Sequence, residues 1–564
     1  MKNIVKNLRA QLHKHNIDGY IIPKNDEFFS EYSNKDRLNK ISNFTGSAGY
    51  AVVLKNINYL FVDSRYTIQA NIESGKKFKI LDYKKILNCK IFKNLVIGLD
   101  PSLFTSHQIN KFFTNNKVKI IKKNLIDNIV KLKNLNSKPF YSLNKKIVGK
   151  DYKDKIGEIV KYLKKNDLDY IFITAPENVA WVLNIRGYDN PTSPIPNSNL
   201  LISKNNKKFI IASKIKLKKL IKEKKIKINE IIEPKNIELI FNKLGGKNIS
   251  IDKKSCSVNY EWVLSKKFKI IKKDDPIYFL KSIKNKTEIT NMIKAHISDG
   301  VALTKFIYWI KEVNKKRITE VDAQNKLEEF RKQNRNYLFP SFDTIAGSGK
   351  NAAIVHYRAN KKNTKIIKNK DIFLCDSGGQ YKYGTTDVTR TICFSKQSSD
   401  IKKIFTQVLK GHIAVANTNL NKINTGKKID ISARKFLKKN GLDYGHGTGH
   451  GVGYFLNVHE GPQAISKFNS VKIKEGMILS NEPGFYKKDN FGIRIENLVY
   501  VKKENKKMFF KNLTLAPIEK DLIDYKILTK YEKDYLFTYH LEVYSKISPF
   551  LNHNEKKWLA QFIQ

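Results

Sequence analysis

Hydrophobic residues fall along this chain in short blocks of two kinds. Ile4, Val5, Leu8 and Leu12 recur at helical spacing. The run from Gly19 to Pro23 is apolar, continuous and of strand length. Gly49 to Leu54 and Tyr59 to Asp63 are two further runs, joined by a turn that includes Lys55 and Asn56, so the pattern predicts a hairpin. Near residue 152 the succession begins again. Ile156, Ile159, Val160 and Leu163 mark a helix, Asp169 to Thr174 a strand, and Asn199 to Ser203 with Phe209 to Ser213 a second hairpin. The recurrence predicts two α/β domains of related build, over 1–150 and 151–282. A third domain is expected over 283–564. It opens with long helical periodicity from Lys284 to Trp309 and continues into strands rich in His, Asp, Glu and Gly.

Composition narrows the class. With 564 residues, 41% hydrophobic and 28% charged, the chain can build several cores and is not a disordered protein. The formal charge of +54 is extreme, but only 11 of the 106 basic residues are Arg. The lysines run from Lys2 to Lys557, without the stripe or the bidentate arginines of a nucleic-acid reader. They read as compositional bias on solvated faces, and no specific nucleic-acid partner is expected. The four cysteines, at 89, 256, 375 and 393, form no C-x-x-C pair and fit a reducing, cytoplasmic setting. The basic N-terminal segment is interrupted by Lys6, Arg9 and Lys14, so it reads as an amphipathic helix rather than a signal peptide. No apolar run approaches membrane-span length.

The chemistry-bearing residues concentrate between 356 and 496. Asp371 to Gly379 reads as an apolar strand ending in Asp376 beside a Gly turn, and Thr386 to Phe394 as its return, which could set Asp387 beside Asp376. Neighbouring carboxylates repel unless a proton or a cation lies between them. In Tyr444 to Gly453, four alternating glycines disfavour a helix, and in an extended strand His446 and His450 share a face. The glycines would leave room for a substrate or a neighbouring backbone. His459 follows in Val458-His-Glu-Gly-Pro462. Met477 to Tyr486 is another apolar strand ending in a carboxylate, Glu482. In the strand Phe491 to Tyr500, alternation puts Arg494 and Glu496 on one face. Four carboxylates with one or more imidazoles suit two divalent cations, Mn²⁺ or a similar hard ion. Two such ions about 3.5–4 Å apart and sharing a hydroxide are a recurrent hydrolytic device.

These residues, in this order, resemble the pita-bread-fold metallopeptidases, and the run from His446 to Pro462 is similar to their large cytosolic aminopeptidase P subgroup. Asn43 to Gly49 with Val62 to Tyr66, Asn178 to Gly187, Lys284 to Ile289 and Thr514 to Ile518 extend the resemblance over nearly the whole chain. It implies an α/β chain whose C-terminal pita-bread catalytic domain follows two creatinase-like α/β domains. It also implies roles. Asp376 would bind one metal, Asp387 and Glu496 would bridge both, and His450 and Glu482 would complete the second. Glu482 would also accept the proton of the bridging water. His356, His446 and His459 would contact the substrate or the tetrahedral intermediate, with Arg494 and Tyr486 close by. One departure lies at Arg358, where relatives carry Ala-Pro after the His-Tyr pair.

The implied reaction is release of the first residue from peptides with proline in second position, by a homodimer holding two divalent metals. A prolidase restricted to dipeptides is the alternative, although such chains are shorter. A non-catalytic binding relative is a more distant one, since such relatives lose metal ligands.

Overall fold

The computed structural model describes residues 2–87, 90–114, 116–132, 137–313 and 317–564, so Cys89 lies outside the described residues. The chain divides into two compact units, Met1–Ile277 and Tyr278–Gln564.

The first unit contains the same sheet twice. Its first copy uses β1 (Gly19–Pro23), β2 (Tyr50–Leu54), β3 (Asn58–Val62), β4 (Lys79–Asp82), β5 (Val96–Leu99) and β6 (Lys117–Ile120), in the order β4-β3-β2-β1-β5-β6. The second uses β7 (Tyr170–Ile173), β8 (Asn199–Ser203), β9 (Lys208–Ile211), β10 (Ile231–Ile232), β11 (Asn248–Asp252) and β12 (Lys269–Lys273), in the order β10-β9-β8-β7-β11-β12. The two orders superimpose strand for strand. So do the directions: β1 runs antiparallel to β2 and parallel to β5, as β7 does to β8 and β11. The unbroken apolar runs are explained by burial on both faces. Tyr20, Ile22, Ala51, Val53, Leu60 and Val62 pack on one side of the first sheet, together with Leu8 and Leu12 of helix α1 (Lys2–Lys14). Ile21, Val52, Tyr59 and Phe61 pack on the other.

The second unit opens with α2 (Lys286–Tyr308), whose start is fixed by a capping box between Asn285 and Glu288. Next come α3 (Glu320–Lys332) and a three-stranded antiparallel sheet of β13 (Ile345–Ser348), β14 (Ile372–Ser377) and β15 (Val388–Cys393). A five-stranded sheet contains β16 (Gly449–Gly451), β17 (Glu460–Ile465), β18 (Ile478–Asn481), β21 (Asn497–Glu504) and β22 (Lys507–Asn512). Between them β19 (Gly484–Lys487) and β20 (Phe491–Arg494) form a hairpin. The core gathers Phe306, Phe373, Ile392, Val408 and Ile493 with Leu536, Val543 and Leu559 of the C-terminal helices α4 (Lys530–Ile547) and α5 (His553–Ile563).

Three local expectations are corrected. The strand expected over Phe491 to Tyr500 is two strands, because Ile495 and Glu496 turn from one sheet into the next. There the Ile495 amide bonds Pro483 O and the Glu496 amide bonds Thr389 O. Likewise β16 covers only Gly449 to Gly451, so His446 lies in the bend before it. Finally Asp376 pairs in register with Thr389 rather than with Asp387, since two short strands, Gly379–Tyr381 and Gly384–Thr385, occupy the connection.

Candidate metal centre

Five carboxylate and imidazole groups converge from strand ends. Asp376 is the fifth residue of β14, Asp387 immediately precedes β15, and His450 is the middle of β16. Glu482 follows β18, and Glu496 sits in the break between β20 and β21. Asp387, Glu482 and Glu496 stand where a strand meets a turn, and Asp376 and His450 within a residue of a strand end, which lets groups from several strands reach one point. The short β16 has a packing reason. A Cβ on Gly449 would come within 1.9 Å of Ser480 O, and one on Gly451 within 2.2 Å of Gln463 Nε2. At these two positions the glycines admit neighbouring protein rather than ligand.

Asp387, His450 and Glu496 each offer one donor atom, all within 4.8 Å of one another. His450 Nε2 lies 3.3 Å from Asp387 Oδ2 and 3.5 Å from Glu482 Oε1. Arg494 Nη2 donates to Asp376 Oδ2 at 2.5 Å, while the buried Asp376 Oδ1 has no hydrogen-bond partner. Burial pushes the Asp376 carboxyl up to about 7, with Arg494 opposing and Asp387 adding to the rise. Burial also raises Glu482 and drives Glu496 well above the usual range, reinforced for Glu496 by Asp387, Glu482 and Asp376. For His450 burial acts downward, but Asp387 and Glu482 outweigh it and hold the imidazole at about 9. A buried surplus of carboxylate charge with an idle oxygen is the donor set of a hard-cation site. The residues present fit two divalent ions.

Around the cluster, Tyr486 accepts from Arg494 Nη1 at 2.7 Å, and its hydroxyl lies 2.9 Å from His446 Nε2. Tyr486 thus packs against the core and carries a polar role as well. The His459 ring stands edge-on to His450 with centroids 4.4 Å apart. His356 occupies a half-buried turn, and the preceding Val355 O lies 3.5 Å from Arg494 Nη2. All ten residues singled out in the sequence thus lie on or beside one network.

Others were missed. Thr389 Oγ1 donates to Glu496 Oε2 at 2.8 Å and accepts from Arg494 Nε at 3.1 Å. Ser480 Oγ donates to Glu482 Oε1 at 3.0 Å and accepts from the His450 amide at 2.9 Å. Period-two alternation was the available signal, since Thr389 is two residues past Asp387 and Ser480 two before Glu482. No local signal marked Glu460, next to His459, which is buried against Lys281 and Lys284.

This site falls within residues 290–503, which match the sequence model of metallopeptidase family M24. Residues 506–564 match the C-terminal region of the same family, and 4–121 and 131–288 each match a creatinase/prolidase N-terminal domain. The chain belongs to this metallopeptidase family. Among its curated relatives, the probable Xaa-Pro aminopeptidase P of Laccaria bicolor is 35% identical over 98% of this chain and 92% of its own. That of Pyrenophora teres f. teres is 36% identical over 97% and 89%. Among solved structures, the X-prolyl aminopeptidase of Caenorhabditis elegans, described as a cytosolic enzyme with a di-nuclear active site, has 28% identity and a TM-score of 0.92. It covers 100% of this chain and 99% of its own. The prolidase of Pyrococcus furiosus, at 26% identity and a TM-score of 0.51, covers only 63% of this chain. The α/β fold with a C-terminal pita-bread domain after two creatinase-like domains agrees with these matches.

Proposed function

We propose that this chain is a metal-dependent aminopeptidase that hydrolyses the N-terminal Xaa-Pro bond of peptides. Two divalent metals, Mn²⁺ in our reading, would be held by Asp376, Asp387, His450, Glu482 and Glu496. The observation that carries the reading is the buried carboxylate surplus in a chain that aligns end to end with Xaa-Pro aminopeptidases. Bound metals would supply a water acidified toward neutral pH and a Lewis acid for the scissile carbonyl.

The protein's own groups divide the remaining work. Glu482 takes the proton of the attacking water and passes it to the departing proline nitrogen. That nitrogen belongs to a tertiary amide, so the substrate has no backbone N–H there to offer a conventional peptidase cleft. His356, His446 and His459 position the peptide and stabilise the developing oxyanion. Arg494 and Tyr486 fix Asp376 and His446 through the 2.5 Å and 2.9 Å contacts above. The division at 150 and 282, a homodimeric state and a cytosolic setting belong to the same reading. Three free, buried cysteines among the described residues support the last, and no described helix is long and apolar enough to cross a membrane.

A prolidase would share the ligands. The match over the whole chain, set against 63% for the Pyrococcus prolidase, favours the aminopeptidase. The test compares an Xaa-Pro dipeptide, an Xaa-Pro-Xaa tripeptide and an Xaa-Ala-Xaa tripeptide, before and after chelation. The expected result is cleavage of the Xaa-Pro-Xaa tripeptide only, lost on chelation and restored by Mn²⁺. Preference for the dipeptide would make the protein a prolidase, and activity surviving exhaustive chelation, or full activity of Glu482→Gln, would end the mechanism.

A further inference from the structure

A carboxylate with no role in the metal cluster organises the turn that carries His356. Glu320, the first residue of α3, is fully buried. Its Oε1 accepts from the Ser348 amide at 2.8 Å and from Asn351 Nδ2 at 2.9 Å. Its Oε2 lies 2.9 Å from the Tyr357 hydroxyl and 3.0 Å from the Lys365 amide, which donates to it. Asn351 Nδ2 also donates to the Tyr357 hydroxyl at 2.9 Å. A buried carboxylate is costly to desolvate, and here neutral donors drawn from both sides of the turn offset the cost. One group thereby fixes residues 348, 351, 357 and 365 against the start of a helix.

The same turn is held from the other side. Arg494 Nη2, which bonds Asp376, lies 3.5 Å from Val355 O. A Cβ on Gly492 of β20 would meet Ala352 O at 1.9 Å, so the backbone of the turn lies directly against that strand. His356 is the one residue between these two anchors. Its neighbour on one side faces the arginine of the metal cluster, and its neighbour on the other is tied to Glu320.

We propose that Glu320 and Tyr357 are positioning residues that act through His356, locking its turn so that the imidazole meets the substrate in one orientation. The proposal rests on the reading of His356 as a substrate-contacting residue. A lost hydroxyl contact in a preorganised turn corresponds to roughly a tenfold effect.

The test is a double-mutant cycle on the metal-loaded protein with an Xaa-Pro-Xaa tripeptide, using Tyr357→Phe, His356→Ala and the pair. Tyr357→Phe should lower kcat/KM about tenfold, mostly in kcat, with metal stoichiometry unchanged. In the His356→Ala background it should change kcat/KM less than about twofold. Glu320→Gln, whose amide NH2 must face the Ser348 or the Lys365 N–H, should follow the same pattern with a larger loss. Activity is normalised to the folded fraction measured by thermal unfolding, so that lost stability is separated from lost positioning. Wild-type activity in Tyr357→Phe, or the same tenfold loss with and without His356, would overturn the proposal while leaving the role of His356 intact. Full activity of His356→Ala would overturn that role and the proposal with it.

Discussion

Two buried charge clusters, one in each unit, differ in their arithmetic. In the first unit Arg37 is buried and its guanidinium meets two carboxylates, Asp127 at 2.6 and 2.7 Å and Glu27 at 2.6 Å. Asp127 is bidentate on Nε and Nη2, Glu27 shares Nη2, and both carboxylates reach solvent at about a third of their surface. The charges are balanced, one buried cation against two carboxylates that keep contact with water, although Arg37 Nη1 has no hydrogen-bond partner. In the second unit Asp376, Asp387, Glu482 and Glu496 share one arginine and one imidazole; Asp376, Asp387, Glu496 and the arginine are buried, Glu482 and the imidazole half-buried, and one oxygen of Asp376 is idle. Folding alone gives no reason to collect such repulsion. A balanced cluster is explained by stability, whereas an unbalanced one calls for something the chain does not carry, which in the proposed function is divalent metal.

The largest effect should come from removing a carboxylate on the unbalanced side. Glu496→Gln should lower kcat/KM on an Xaa-Pro-Xaa tripeptide by at least roughly a thousandfold, since bound metal supplies several kcal/mol of transition-state stabilisation. Metal stoichiometry by elemental analysis should fall below two per chain. Metal-free Glu496→Gln should unfold at a denaturant concentration no lower than the metal-free wild type, because Gln keeps the size of the side chain and removes a carboxyl whose ionised form burial and the neighbouring carboxylates disfavour. A variant that is markedly less stable without metal would mean that this cluster is structural after all.

The balanced side should respond in the opposite way. Arg37→Ala leaves Glu27 and Asp127 without their shared cation and opens a void, at a cost of about 3–5 kcal/mol. Urea unfolding should register that loss with metal present or absent. Isothermal titration with Mn²⁺ should still find the wild-type stoichiometry. A change in metal stoichiometry would dissolve the distinction between the two clusters.

These clusters were not equally legible in the sequence. Asp376, Asp387, Glu482 and Glu496 could be picked out because each stands at one end of an apolar strand or alternates with buried isoleucines, and such patterns are local. The doubled sheet was legible for the same reason, as an order of apolar runs repeated. What local pattern left open was which histidine joins the carboxylates, and it was the family resemblance that singled out His450. The anchors were hidden because they act over long sequence separations: Thr389 on Glu496 across 107 residues, and Arg37 on Asp127 across 90. A polar residue in a strand or cap carries no mark of its partner until the sheets are assembled. The break at Ile495 and Glu496 was concealed by unbroken alternation, which describes side-chain direction but not the sheet to which a strand pairs.

A third cluster, behind the metal centre, sharpens the comparison with an imbalance of opposite sign. Arg390 is buried, and its guanidinium bonds the carbonyls of Thr389, Glu496, Ala516 and Pro517, Asn497 Oδ1 and the Tyr539 hydroxyl, but no carboxylate. Its neighbour His540 accepts from the Ile518 amide at 3.1 Å, and burial, then the charge of Arg390, lowers its imidazole to about 4. A folded-state value below the ordinary 6.5 means that the unfolded chain binds the proton first as pH falls. The stabilising contribution is therefore full above about pH 6.5 and is lost progressively toward pH 4. Between pH 6.5 and pH 5 the loss amounts to about 2 kcal/mol. His540→Gln removes the titration and keeps an acceptor for the Ile518 amide, so urea unfolding of the metal-free protein should lose about 2 kcal/mol less over that interval than the wild type. Parallel pH profiles for the two proteins would show that His540 takes up its proton as readily folded as unfolded, and the cation surplus around Arg390 would then be compensated by groups other than those bonded to it.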